Sequence, residues 1–207
     1  MNIYCQEVSD TTIIIKKMAF RVNTLEISQD MMLFHVYRDS ILIIEDSLPS
    51  TDFPLKFIDF NKDKNTDLIF TYGGNNFTYL LYLFDAVNNT FKNVEGFDRF
   101  PQSLQLRSNH KYYYSYHREG CADFNWVSDL FTIVNFKSIH LAQIYGKGCI
   151  AEDEIQNRVI EVYKILNNNE DSNKLIEKLP YLKNIPEFAD KWSFIEKYWN
   201  KNYYRFK

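Results

Sequence analysis

For most of its length the chain alternates short apolar runs with polar turns, and the spacing is that of strands. Residues 11–18 are β-branched, and residues 19–27 continue with Phe20 and Val22 on alternate positions. Residues 32–38 and 40–45 follow across the polar Arg38-Asp39-Ser40, so two antiparallel hairpins are expected here. Residues 47–54, with Pro49 and Pro54, read as a loop. Strands are predicted at 55–60, 68–72, 77–85 and 91–94, broken by an acidic run, by Gly73-Gly74-Asn75-Asn76 and by 86–90. Four more are expected at 102–107, 111–117, 129–136 and 139–145. Residues 158–166 fit both strand and helix periods. They are read as one arm of a hairpin with 174–179, joined across 167–173.

The C-terminus has a different period. From Pro186, apolar residues recur at Phe188, Trp192, Ile195, Trp199 and Tyr203, in steps of four, three, four and four. That is the stripe of an amphipathic helix, with Pro186 in its first turn. Lys191, Lys197 and Lys201 are assigned to the opposite face. Two readings stand: the stripe packs on a sheet with the lysines in water, or a basic aromatic helix lies on a membrane or nucleic acid. The expected fold is mainly β, with antiparallel sheets and a C-terminal α-helix. One domain is expected over 1–207, with a β body at 1–182 and the helix at 184–207.

Composition narrows the function classes. Seventeen Phe, fifteen Tyr and three Trp make the chain rich in rings that can fill a core or face a partner. Six Gly and five Pro are too few for a disordered or collagen-like chain. A net charge of −3 offers no general attraction to nucleic acid. No run of about eighteen apolar residues exists, so no membrane span is expected.

The most informative run is Phe57-Ile-Asp-Phe-Asn-Lys-Asp-Lys-Asn-Thr-Asp-Leu-Ile-Phe70. Asp59, Asn61, Asp63, Asn65 and Asp67 place an oxygen-bearing side chain at every second position. Calcium takes six to eight oxygens, and a curled loop supplies them from alternate residues. The run matches D-x-[DN]-x-[DN], with Lys64 where the pattern has Gly and Phe70 where it has Glu. It resembles the calcium loops set between strands in integrin-type and VCBS-type repeats, in which the ninth residue, here Asp67, ligates. That resemblance implies a structural Ca²⁺. The other reading is a metal-free turn, since Asp and Asn side chains bond their own backbone.

A second marked segment is Tyr-Ser-Tyr-His-Arg-Glu-Gly-Cys-Ala-Asp, residues 114–123, followed by Gly146-Lys147-Gly148-Cys149. Cys121 and Cys149 both fall in loops beside expected strands. A bridge between them would contribute about 3–4 kcal/mol in the chain-entropy model and implies an oxidising compartment. The other reading is free buried thiols. Cys5 is left over, and nothing like a lipobox precedes it. Tyr114, Tyr116, His117 and Arg118 are candidates for a binding surface.

These two segments together resemble a group of exported Bacteroidetes-type proteins, over roughly residues 55–149. More distantly the chain is similar to propeller-like, calcium-binding periplasmic lipoproteins that inhibit lysozyme-type muramidases. The resemblance implies a propeller-like arrangement, a periplasmic or extracellular location with the cytoplasm as the alternative, and a protein partner of the cell-wall hydrolase class. No stretch matches that family's inhibitory loop residue by residue.

Enzyme signals are weak. His35, His110, His117 and His140 share no metal-type spacing, and neither Cys-x-x-Cys nor His-Glu-x-x-His occurs, so zinc is not expected. No phosphate-binding loop or Gly-x-Ser-x-Gly is present. Ser115, His117 and Asp123 are close in sequence, which says little about a triad. A non-enzymatic binding protein is therefore expected. A glycan-acting hydrolase and a purely structural module are the alternatives.

Overall fold

Four of the two-residue turns among the described residues share one backbone pattern. Their central pairs are Lys16-Lys17, Asp39-Ser40, Asn135-Phe136 and Asn167-Asn168, all at φ between 48° and 70°. Positive φ at both positions is the type I′ pattern, whose twist matches paired strands. None of the four contains Gly. The structure, a computed structural model, describes residues 6–74, 76–149 and 158–207, with side chains from Ser9 onward. Cys5 lies outside the described residues.

The strands are β1 (Gln6–Ile15), β2 (Met18–Ser28), β3 (Met31–Arg38), β4 (Ile41–Pro49), β5 (Lys56–Ile58), β6 (Asp67–Tyr72), β7 (Thr78–Asp85), β8 (Thr90–Asn93), β9 (Leu104–Gln105), β10 (Tyr112–Tyr114), β11 (His117–Arg118), β12 (Asn125–Val134), β13 (Lys137–Lys147), β14 (Val159–Leu166) and β15 (Asn169–Pro180). Two helices follow, α1 (Tyr181–Asn184) and α2 (Asp190–Asn202). The fold is mainly β and antiparallel, with its main helix at the C-terminus.

Several expected boundaries move. Residues 16–18 do not extend the first strand, because Lys16-Lys17 is the turn into β2. Strand β4 runs on to Pro49 through the expected loop. The Asn167-Asn168 turn replaces a seven-residue connection, so β15 begins at Asn169.

The chain forms two compact units, residues 1–72 with 81–93 and residues 73–80 with 94–207. The first holds the sheet β1-β2-β3-β4, and most of a second sheet ordered β5-β6-β7-β8. Its core is built from rings: Phe34 meets Phe70 at 4.9 Å, and Phe20 meets Phe84 at 5.5 Å and Phe91 at 5.7 Å, all edge to face. Such pairs contribute about 0.5–1.5 kcal/mol each beyond area burial.

The second unit holds a seven-stranded sheet ordered β15-β14-β13-β12-β10-β9, with β11 also on β12. Ile195, Tyr198 and Trp199 of α2 pack into one cluster with Trp126, Leu130, Ile144 and Val162 of the sheet. The Trp199 indole donates to Ser128 Oγ at 2.8 Å and the Trp126 indole to Tyr181 Oη at 3.1 Å, so both buried N–H groups are satisfied. Gly146 faces Trp126 across the β12–β13 ladder, and a Cβ there would sit 2.1 Å from the indole.

Helix α2 is rotated from the expected stripe. Lys191 is fully buried, while Phe188 and Trp192 are each 46 % exposed. Lys191 lies one helical turn before Ile195, on the same face. The buried face therefore starts with a lysine, and Lys191 is corrected from the water-facing side.

Candidate functional site

The acidic run occupies the connection from β5 to β6, whose register pairs Ile58 with Asp67. Its carboxylates wind the backbone around themselves. Asp59 accepts Asp63 N–H at 3.0 Å on Oδ1 and Lys64 N–H at 3.1 Å on Oδ2. Asp63 Oδ1 accepts Asn65 N–H at 2.8 Å. These bonds curl the loop and carry Lys62 to φ 63° and Lys64 to φ 72°. Lys64 thus takes the conformation the pattern assigns to Gly. A non-Gly residue there costs about 1 kcal/mol or more.

Asp67 closes the loop. It is fully buried, and its carboxylate accepts Phe60 N–H and Phe84 N–H, each at 2.9 Å. One side chain therefore ties the loop to β7. Burial, with a smaller push from the Asp63 carboxylate, drives its pKa up to about 6 against the pull of those backbone donors. Among the described residues no Lys or Arg pairs with Asp59, Asp63 or Asp67. Instead the amide N–H groups of Asn61 and Asn65 point at Asp63, at 3.0 and 2.8 Å.

That observation is the test of fit for calcium. Three carboxylates and two amides share one small loop whose own Lys62 and Lys64 pair with none of the carboxylates, and burial raises the Asp67 pKa to about 6. Among the described residues no three His, Cys, Asp or Glu side chains form a metal-holding group. The donor set is mixed, with amide oxygens beside the carboxylates, and that is calcium's chemistry rather than zinc's. The donor types match calcium, while the described carboxylates are not gathered into a metal-holding group.

The second segment lies in the other unit. A disulfide joins Cys121 to Cys149, with Cα atoms 6.1 Å apart, as the loop positions of the two cysteines led us to expect. Gly120, Cys121, Ala122 and Asp123 are four consecutive residues at positive φ, of 86°, 52°, 48° and 73°. Each non-Gly member is unfavourable alone. The turn is held from below. Asp123 accepts from Tyr116 Oη and pairs with Lys191 Nζ at 2.8 Å, and Lys191 also donates to the Asp123 carbonyl at 3.1 Å. Lys191 Nζ lies 3.8 Å from the Phe188 ring centroid and 5.1–5.3 Å from those of Trp192 and Tyr116. Burial pushes the Lys191 pKa down, and Asp123 works against that push.

The expected binding residues divide. Tyr116 is buried, its ring tilted against that of Trp192 at 4.0 Å, so it supports the surface without facing a partner. Its ring is taken by the cage around Lys191, which the sequence did not reveal. Tyr114 is half-buried on β10. His117 is mostly covered, with Nδ1 3.8 Å from Asp129. Arg118 has 64 % of its side chain exposed, and its backbone is fixed by Asn76, which accepts Arg118 N–H at 2.8 Å. Phe124, Phe188 and Trp192 are 42–46 % exposed beside the locked turn, and Phe124 meets Phe188 edge to face at 5.4 Å. Sequence reading missed Phe124 and assigned the other two to the core.

Ser115 is buried and donates to Asp129 Oδ2 at 2.9 Å, while Asp123 is engaged by Tyr116 and Lys191. The three candidate triad members therefore serve different partners. Asp129 lies 3.1 Å from His140 Nε2, and His140 Nδ1 lies 3.2 Å from Glu170. Burial works to lower the His140 pKa, but the two carboxylates outweigh it and lift it to about 9.

Among the described residues no helix is long and apolar enough to cross a membrane. No family model matches the chain, and no curated protein matches it. A solved structure described as "Structure of a Xanthomonas Type IV Secretion System related protein" aligns at 16 % identity and a TM-score of 0.49. The alignment covers 81 % of this chain and 93 % of that one. A likeness of that depth bears on neither mechanism nor partner.

Proposed function

We propose that this chain is an exported, calcium-stabilised, non-enzymatic β protein that recognises another protein, of the cell-wall hydrolase class, and inhibits it. The observation that carries the reading is the locked turn at 120–123 with its aromatic rim. Phe124, Phe188 and Trp192 stand beside Arg118 on a backbone fixed by a disulfide, a buried lysine and a tyrosine. Aromatic and Arg side chains dominate binding energy at protein interfaces, and a pre-ordered loop loses little entropy on docking. The disulfide suits an oxidising compartment.

In the same reading Asp59, Asn61, Asp63, Asn65 and Asp67 hold a structural Ca²⁺. The ion supplies positive charge at carboxylates with which, among the described residues, Lys62 and Lys64 do not pair. The sequential four-stranded meanders β1–β4 and β5–β8 are the unit from which propellers are assembled, which supports the propeller-like arrangement.

The test is inhibition of a purified lysozyme-type muramidase in a cell-wall clearing assay, run with calcium present. Inhibition by the wild type, lost in Arg118→Ala and in Phe124→Ala at unchanged melting temperature, supports the reading. No inhibition, together with no partner recovered from a native periplasmic extract, removes it.

A further inference from the structure

The first unit contains a cavity of about 820 Å³ that the loop donors do not line. Its floor is apolar, with the buried side chains of Met32 and Phe70. Its walls are polar. Glu26, Gln29 and Asp52 line it, and among the described residues their side chains make no ion pair or hydrogen bond.

Hydroxyls surround them and are fixed in place. Ser9 Oγ and Thr24 Oγ1 are 3.0 Å apart. Thr51 Oγ1 donates to the Thr71 carbonyl at 2.6 Å and accepts Phe53 N–H at 3.2 Å. Each of these oxygens keeps acceptor capacity. Phe53, at the rim, is 40 % exposed. Among the described residues no Lys or Arg lines the space.

We propose that this cavity binds a neutral oligosaccharide. An anion would meet two carboxylates and no cation. A hydrocarbon would strip water from Glu26, Gln29 and Asp52 and return nothing, a loss that buried polar groups do not tolerate. A single ammonium group would satisfy the carboxylates and leave the hydroxyl wall and most of the volume unused. Sugar rings answer every part of the lining. Their hydroxyls donate to the two carboxylates and to the wall oxygens, accept from the Gln29 amide N–H, and lay their C–H faces on Phe53 and the floor. The volume suits a short chain of rings.

The cavity is coupled to the acidic loop by covalent structure. Phe57 on β5 and Phe70 on β6 both line it, and the 59–67 loop is the connection between those strands. The proposal concerns binding alone and stands independently of inhibition of a partner by the second unit.

The experiment is calorimetric titration of the whole chain with chitotetraose, cellotetraose and maltotetraose in turn, with calcium and with chelator. Saturable binding of at least one, weakened about 10-fold or more by Glu26→Ala and by Asp52→Ala, supports the site. Weaker binding in chelator supports the coupling to the loop. No saturable heat with any of the three up to about 5 mM, where a millimolar complex is still detected, overturns the proposal. So does binding that neither variant changes, or spermidine binding more tightly than every sugar.

Discussion

The acidic loops at 59–67 and 120–123 both hold non-glycine residues at positive φ, and they neutralise their acids in opposite ways. The turn at 120–123 carries its own cation. Lys191 arrives from α2, is buried among three rings, and pairs with Asp123 while a disulfide clamps Cys121. The 59–67 loop has no such partner among the described residues. Its carboxylates are held by backbone N–H groups and two Asn amides, and Asp67 compensates by keeping a proton up to about pH 6. The lesson is electrostatic. An acidic turn that the chain supplies with a lysine is complete by itself. One whose carboxylates no lysine pairs with is left to a proton, as at Asp67.

The largest test of that difference is to remove the cation from the complete turn. Lys191→Met strands Asp123 and opens the cage, and is expected to cost about 3–5 kcal/mol in urea unfolding. A cost under about 1 kcal/mol means the pair is not what holds the turn. The matching change in the other loop behaves differently. In chelator Asp63→Asn is expected to be neutral or slightly stabilising, because it relieves repulsion of Asp67. With calcium the same change destabilises.

Next in size is the covalent clamp. Replacing Cys121 and Cys149 by Ser is expected to lower stability by about 3–4 kcal/mol in the chain-entropy model. Amide exchange should quicken at 120–124 and leave 59–67 unchanged.

The proton on Asp67 gives a pH signature. Its folded pKa of about 6 lies above the unfolded value of 3.8, so the folded state binds the proton more tightly between them. Metal-free stability therefore falls as pH rises from about 4 to 6, by roughly 3 kcal/mol at most. Calcium should abolish the fall, as should Asp67→Asn, and melts at pH 4.5 and 6.5 read it directly. At about a hundred times Kd, calcium itself should add about 2.7 kcal/mol.

The smallest effect sharpens the comparison at one residue. Lys64 sits at φ 72°. Lys64→Gly removes that strain and is expected to gain up to about 1 kcal/mol with calcium bound, where the loop is most ordered. A loss on this substitution would mean that the Lys64 side chain contributes more than its backbone strain costs.

Legibility from sequence followed the range of the interactions. Alternating oxygen residues are a local signal, so a loop between two strands is legible at 59–67. The strands were read for the same reason, since period-2 patterning is local. The turns were blurred because Lys16-Lys17 and Asn135-Phe136 carry no Gly to announce positive φ. The locked turn was half legible. Two loop cysteines suggested the bridge, but nothing near residue 121 announces a lysine seventy positions later. The stripe at 188–203 was misphased because hydrophobicity was allowed to decide which face is buried, and Lys191 is buried through its partner Asp123.

Sequence by itself determined the mainly β character, the C-terminal helix, the acidic loop and the plausibility of one disulfide. The first three rest on neighbours within a few residues, and the disulfide on two cysteines whose own surroundings read as loops. Tertiary structure decided which face of α2 turns inward, that Tyr116 supports while Phe124 and Trp192 are exposed, and that Glu26 and Asp52 line one cavity. Those facts depend on side chains from distant segments, and the energy of a buried charge is set by what lies beside it in space.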